Sequence, residues 1–381
     1  MATTHVLIVD DNTFKYHLEY LFIGTGSKDN DYILNNPEAT EKPSTERLLV
    51  SMLADLSRVK IGDYVIFYLQ QKDDREGKFY GIFKISSLPF IDNKGEYLFS
   101  CLNKKLTFRA LIEPYEIYPE GVTEWEALDD IKSIQSPHQM LWSLIYRKLK
   151  GNRGNTMITI YETERLFFLI RNKNNNNFLD NNSGFTFYEG NIVNCDMKQY
   201  LGKRESIDII DRLLYKYNKR LAFEVHLQSY ILQHLINDND FLYNILPKEY
   251  IENYVIEWIG NEVSCGVGMQ RIDIMISLIN KNDNTKRIII PIELKDEEID
   301  YKKITKQLER YINWISQYYI PNRISLIKPI IIGKYIKNDD ELNRLLNALK
   351  KFNKITDKNC FDVGYVEFSI KKGIEFKEVK Y

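Results

Sequence analysis

The sequence predicts two unlike domains, a small β-barrel followed by an αβ domain, so the chain belongs to the α/β and α+β class. Three observations predict this. The chain has 381 residues, about two average domains by length. Its first half is dominated by short runs of alternating aromatic and aliphatic residues, the mark of strands, while in the second half helical periods alternate with apolar strands. Between the halves lies Asn174-Asn175-Asn176-Asn177, followed by Asp180-Asn181-Asn182-Ser183-Gly184, a stretch that favours turns and cannot bury apolar area. The expected layout is therefore a first domain over 1–172, an Asn-rich linker over 173–204 and a second domain over 205–381.

Taken in order, His5-Val6-Leu7-Ile8-Val9 is a buried strand stopped by Asp10-Asp11-Asn12. Thr45 to Leu56 has helical spacing, with Leu48, Leu49, Met52, Leu53 and Leu56 on one side. The turn Ile61-Gly62-Asp63 opens the strand Tyr64–Leu69, and a charged loop, Lys72 to Lys78, leads to a second strand, Phe79–Ile85. Leu106–Ile112 reads as another strand. Helices are expected from about Pro137 to Leu149, and from Thr159, where Glu162 completes a capping box, to about Arg171. In the second half, helices are expected around Glu205–Tyr217 and Phe223–Leu235, followed by strands and one long helix.

Composition removes several classes of function. A chain 44% hydrophobic and 28% charged is neither disordered nor fibrous. With 52 Lys and Arg against 53 Asp and Glu it is no polybasic binder, although a local basic cleft remains open. Cys101, Cys195, Cys265 and Cys360 form no CxxC pair, which argues against a zinc ribbon or a disulfide framework. No signal peptide is visible at Met1-Ala2-Thr3-Thr4-His5, and the longest apolar runs are strand-sized, so a cytoplasmic protein without membrane partners is expected.

The chemistry lies in the second half. Glu224 stands near the start of an apolar helix; Asp273 lies in the strand Arg271–Leu278; Glu293 and Lys295 end the strand Ile288–Lys295; and Gln307 and Tyr311 follow on a helix. Asp273 and Glu293 are 20 positions apart with a turn at Asn280–Thr285 between them, so an antiparallel hairpin would set the two carboxylates side by side. Strand alternation puts Glu293 and Lys295 on one face. Charged groups at the end of an apolar hairpin are costly to desolvate unless they bind something. With the carbonyl of Leu294, the two carboxylates make a hard oxygen site suited to Mg²⁺ or Mn²⁺. The Lys295 ammonium would orient water or offset phosphate charge. Lys303, Gln307, Tyr311 and Trp314 share one helical face, where the two aromatics also suit packing.

This order resembles the PD-(D/E)XK nuclease superfamily over roughly Phe223 to Val379. The resemblance implies a restriction-endonuclease-like fold with a mixed central sheet. It implies Asp273 and Glu293 as metal ligands, Lys295 as the catalytic lysine and Glu224 as the helical acid. Gln307 and Tyr311 match the QxxxY element of a RecB-like subgroup. The tail is similar to the C-terminal domain of NucS-type repair endonucleases. Ile272, not proline, precedes Asp273, which is a departure from the motif. In the first half, Lys60–Tyr68 and Gly81–Ile85 look like the Gly-Asp hairpin of PUA-like domains, including EVE-type and YTH-type modules that take a flipped, modified base between aromatic rings. Trp125, Trp142, Tyr68 and Tyr80 are candidate ring faces, and Asp63 or Asn152 a candidate edge contact. Arg147, Lys148, Lys150 and Arg153 form a basic cluster suited to phosphate.

The expectation is a Mg²⁺- or Mn²⁺-dependent endonuclease acting on double-stranded DNA, a restriction enzyme that reads a modified base, and a homodimer is plausible. Asp273, Glu293, Lys295, Glu224 and Gln307 are its candidate catalytic residues. Tyr311, Lys303, Arg271, Arg153, Trp142 and Tyr68 are its candidate nucleic-acid contacts. The alternatives are a repair or structure-specific nuclease, and a non-catalytic reader of modified nucleic acid.

Overall fold

The computed structural model describes residues 2–26, 36–72, 75–92, 97–145, 154–238, 240–266, 270–297, 299–319, 325–356, 359–371 and 373–381. The chain divides into two units, Met1–Arg212 and Leu213–Tyr381.

The first unit runs β1 (Thr4–Val9), α1 (Asp11–Glu19), β2 (Phe22–Thr25), α2 (Pro43–Ser57), β3 (Tyr64–Leu69), β4 (Lys78–Ile85), β5 (Phe90–Ile91), α3 (Phe99–Leu102), β6 (Phe108–Pro114), β7 (Val122–Thr123), α4 (Trp142–Ile145), β8 (Asn155–Ile158), α5 (Ile160–Lys173), β9 (Gly184–Tyr188) and β10 (Asn191–Cys195). Eight strands form one sheet in the order β2-β6-β4-β3-β1-β8, with β5 on β6 and β7 on β4. The sheet curls because β6 serves two partners: Phe108–Leu111 pair with β2, while Ile112–Pro114 pair with β4. The described strands end at β2 and β8, so the expected small barrel is a curled half-barrel. Its core is aromatic, with Phe14 packed 5.0–5.4 Å from the rings of Phe67, Tyr80 and Phe187.

Several expectations change here. Asp10 does end β1, but it also starts α1: its carboxylate accepts from the Thr13 amide at 2.8 Å, a capping box the sequence reading passed over. Asp63 is fully buried, accepting from the amides of Thr3 at 3.0 Å and Lys60 at 3.1 Å and pairing with His5 at 2.9 Å. It anchors the turn and cannot offer an edge to a base. Of the helix expected from Pro137 to Leu149, the described residues form a 3₁₀ turn, Pro137–Gln139, and α4; Arg147, Lys148, Lys150, Asn152 and Arg153 lie outside the described residues. The capping box at Thr159 is present, and the buried Glu162 carboxylate accepts from the amides of Thr159 and Ser143 at 2.6 and 2.7 Å.

The expected linker at 173–204 is folded. It carries the β9–β10 hairpin, whose Phe185 and Ile192 are fully buried, together with the buried Tyr200. Asparagines that looked like an open link instead tie the loop down: Asn174 donates to the carbonyls of Glu120 and Ile170, and Asn181 to that of Tyr115. Arg212 closes the unit, donating to Glu46 and to the carbonyls of Pro37 and Ala39.

The helix α6 (Ile210–Asn218) leads into the second unit, which continues with α7 (Glu224–Asn237), β11 (Tyr254–Ser264), β12 (Arg271–Asn280), β13 (Arg287–Lys295), α8 (Tyr301–Trp314), β14 (Ser325–Ile327), β15 (Ile330–Lys334), α9 (Asp339–Asn353), β16 (Gly364–Ile370) and β17 (Ile374–Glu378). The sheet order is β11-β12-β13-β15-β16-β17, with β14 also on β13. The pairs β11–β12, β12–β13 and β16–β17 are antiparallel; β13–β15 and β15–β16 are parallel, so the sheet is mixed. Its centre is apolar on both faces: Ile288, Ile289, Ile290, Ile292, Leu294, Ile330, Ile331 and Ile332 are all buried. A buried charged pair interrupts it. Arg287 on β13 donates twice to Glu257 on β11, at 2.7 and 2.8 Å, and both side chains are buried. Among the described residues, no helix is long and apolar enough to cross a membrane.

Candidate active site

The register of β12 against β13 explains how the two acids meet. Ile274 pairs with Ile292, so the next step outward sets Asp273 opposite Glu293. Opposed residues of an antiparallel pair share a face. The Asp273 carboxylate turns toward the neighbouring strand and accepts the Leu294 amide at 2.8 Å. Glu293 is buried in the sheet, whereas Lys295, two residues on, reaches the edge with its side chain 25% exposed.

Lys295 gathers the oxygens of the site. Its ammonium donates to Glu293 Oε1 at 2.5 Å and to the Leu294 carbonyl at 2.9 Å, and it lies 3.6 Å from Glu224 Oε1. Glu224 comes from the first turn of α7, where a carboxylate is favoured by the helix dipole. The other oxygen of Glu293 faces α8. The Tyr311 hydroxyl lies 2.7 Å from both Glu293 Oε2 and the Arg271 carbonyl, and it accepts from Gln307 Nε2 at 2.7 Å. Its single proton serves one of the two acceptors at a time.

The electrostatics follow from crowding. Burial pushes the Asp273 carboxyl well above the usual aspartate range, and the nearby Glu293 charge adds to this. Glu224 is also raised, chiefly by burial, with Lys295 opposing. Burial works against the Lys295 charge, but Glu293 and Glu224 outweigh it and hold the ammonium above its ordinary value. The Tyr311 hydroxyl is raised by burial and by Glu293. Three carboxyl groups, Asp273, Glu293 and Glu224, stand around the single ammonium of Lys295.

The donor set decides which cation it suits. Among the described residues, no three His, Cys, Asp or Glu side chains converge as a metal cluster. What the site offers is two carboxylates and a main-chain oxygen, all hard donors. That suits a divalent ion of the Mg²⁺ type, which keeps several of its waters and takes one or two carboxylates. The Lys295 ammonium already bonds two oxygens of this set, Glu293 Oε1 and the Leu294 carbonyl, so the fit is to a cation of hard-oxygen preference.

Two candidate nucleic-acid contacts change role. Tyr311 is fully buried, so it positions Glu293 rather than touching a nucleic acid. Tyr68 is 2% exposed and its hydroxyl donates to Glu124, which makes it a core residue of the first unit. Tyr80 is likewise buried, donating to the Gly190 carbonyl at 2.8 Å. Trp142 is half-buried on α4 and Trp125 is exposed. Arg271 is paired with Glu262, and Lys303 is an exposed side chain in the first turn of α8, 3.5 Å from Asp300. Arg153 lies outside the described residues.

Three residues of the site were not foreseen. Gln228 donates to the Asp273 carbonyl at 2.8 Å, and Asn261 on β11 approaches the Gln228 amide oxygen at 3.5 Å. Both are buried, and together they fasten α7 to the strand that carries Asp273. Gln228 lies four residues after Glu224, so helical spacing alone could have found it. Glu262 holds a left-handed backbone at φ 51° within the run of β11 that flanks Asp273, where Asn261 pairs with Ile274 and Val263 with Ile272. No sequence signal marked it.

No family model matches the chain, and no curated protein matches it in sequence. Solved structures are similar to it at low identity. A hypothetical protein from Leishmania major is 12% identical, over 45% of this chain and 97% of that one, with a TM-score of 0.29. The human THYN1 protein in complex with 5-methylcytosine-containing DNA is 11% identical, over 44% of this chain and 96% of that one, with a TM-score of 0.26. Pyrococcus furiosus SfsA in complex with Ca²⁺ is 14% identical, over 51% of this chain and 74% of that one, with a TM-score of 0.20. Likenesses at this level carry no argument about function, which rests on the residues themselves.

Proposed function

We propose that the chain is a metal-dependent DNA endonuclease whose second unit hydrolyses phosphodiester bonds and whose first unit selects the substrate. The observation that carries this is the end of the β12–β13 hairpin, where Asp273, Glu293, the Leu294 carbonyl and Lys295 meet at one sheet edge. Asp273, Glu293 and Leu294 would hold Mg²⁺ or Mn²⁺, which when bound supplies charge neutralisation at the scissile phosphate and a more acidic water. Lys295 donates from Nζ to the attacking water or to a phosphate oxygen. Glu224 holds Lys295 from the helix side, and Tyr311, fixed by Gln307, holds Glu293 Oε2 in place.

We assign selection of the base to the first unit, whose ring-lined cavity suits it. Tyr64 stands 5.5 Å from Tyr115 and 5.1 Å from Phe167, ring to ring. Tyr64, Phe167, Glu164 and Arg171 line a cavity of about 310 Å³. Flat faces with a few polar groups suit a base taken out of the stack. These residues replace the buried Tyr68 and Tyr80 in the candidate reader, and the setting we propose is restriction of foreign, modified DNA.

The test is digestion of methylated, hydroxymethylated, unmodified and mismatched duplexes with Mg²⁺ or Mn²⁺. Wild type should cut the modified duplexes, and Asp273→Ala should lose on the order of a thousandfold in rate. Equal nicking by D273A and wild type would sink the assigned site. Cutting that ignores modification and follows mismatches would replace restriction with repair.

A further inference from the structure

The second unit holds a cavity of about 630 Å³ that the cleavage reading does not use. Its wall shares chain with the active site: Phe223 directly precedes Glu224, and Asp296 directly follows Lys295. Further lining comes from Glu297, from His226 of α7, from the end of α6 and the segment after it, with Tyr217 and Arg220, and from β15 and β16, with Lys334 and Phe368. The cavity wall is therefore next in the chain to Glu224 and Lys295.

Its chemistry combines three kinds of group. Tyr217, Phe223 and Phe368 offer rings. Arg220 and Lys334 offer cations, and Asp296 and Glu297 offer carboxylates, either of which can accept from a base edge. The pairing of ring and cation is already made, since the Lys334 ammonium lies over the Tyr217 ring, 5.3 Å from its centroid. Phe223 is held in orientation by its neighbour on α7. Its amide donates to His226 Nδ1 at 3.1 Å, and the two rings stack at 5.8 Å with 25° between their planes. A purely structural cavity has no need of two exposed cations and two carboxylates around aromatic faces. A nucleotide needs all three, with the base against the ring, the phosphate near the cation and the base edge toward the acceptor.

We infer that this cavity takes one unstacked nucleotide of the DNA strand next to the scissile phosphate, so that the preferred substrate has an unpaired or extruded nucleotide at the cut. The inference rests on the endonuclease reading for its choice of DNA, and it narrows the substrate of that same site. A volume of about 630 Å³ falls within the range of small-molecule pockets and accommodates a nucleotide with some of its water.

The experiment measures binding separately from cutting. Full-length protein without divalent metal is titrated against a labelled duplex and against the same duplex carrying one extrahelical 2-aminopurine. Anisotropy reads affinity and 2-aminopurine fluorescence reads stacking. Wild type should bind the extrahelical duplex about tenfold more tightly than the paired one, with the fluorescence quenched. Tyr217→Leu and Lys334→Gln should each remove most of that preference, lowering affinity for the extrahelical duplex more than for the paired one. Equal affinity of wild type for both duplexes, or variants that keep the preference and the quench, would overturn the inference. Circular dichroism of both variants guards against misfolding. Adding Mg²⁺ then separates the two claims: preference without cutting leaves the cavity and refutes the nuclease, whereas cutting without preference does the reverse.

Discussion

At the scale of single residues, Lys295 explains most about the site. Its ammonium bonds Glu293 Oε1 and the Leu294 carbonyl, two of the three oxygen donors that a divalent ion would use. The lysine and the ion therefore compete for part of the same set, and the lysine must shift outward for the ion to enter. Replacing it with a neutral side chain of similar length removes the competitor as well as the donor to water. We expect Lys295→Met to lose cleavage yet take up Mn²⁺ at least as tightly as wild type in a calorimetric titration. Weaker uptake would show that Lys295 supports the ion rather than standing in for it.

At the scale of elements, three strands must keep one register for Asp273 and Glu293 to meet. The pair between Arg287 and Glu257 spans β11 to β13 across β12, and Ser277 of the middle strand donates to Glu257 at 3.3 Å. A one-residue slip would turn every side chain to the opposite face. Removing one partner of a buried pair is costly because the other charge is left in the interior. Arg287→Met should destabilise the second unit by roughly 3–5 kcal/mol. The double change Arg287→Met with Glu257→Leu should recover much of that loss in a denaturant titration. A double variant no more stable than the single one would mean that the pair does not set the register.

At the scale of the whole molecule, each unit has its own apolar core, so each should unfold as a cooperative body. Calorimetry should resolve two transitions, and only the one belonging to Met1–Arg212 should track His17. That imidazole is buried, stacked on Phe67 and 2.9 Å from the Phe22 carbonyl, and burial pulls its pKa down from 6.5 to about 4. The unfolded chain takes up the proton first, so the neutral ring stabilises the fold fully above about pH 6.5. That contribution is lost as pH falls toward 4, up to roughly 3 kcal/mol. His17→Gln should flatten the acid dependence of that transition. One two-state transition for the whole chain, or no difference with H17Q over this range, would contradict the account.

What the sequence determined by itself was the local pattern: the strands β3 and β4, the capped helix at Thr159, the apolar hairpin with acids at its end, and the glutamine and tyrosine one turn apart on α8. Each follows from side-chain period, capping chemistry or desolvation cost, all of which act over a few residues. The folded structure alone decided what depends on distant partners. It buried Asp63 against His5, sank Tyr68 and Tyr311 into cores, and folded the Asn-rich segment by giving its amides carbonyls to bind. It also brought Gln228 and Asn261 to the strand of Asp273 and hollowed the cavity behind Phe223. A polar side chain reads alike in sequence whether it meets water or a partner far along the chain, and only packing settles which.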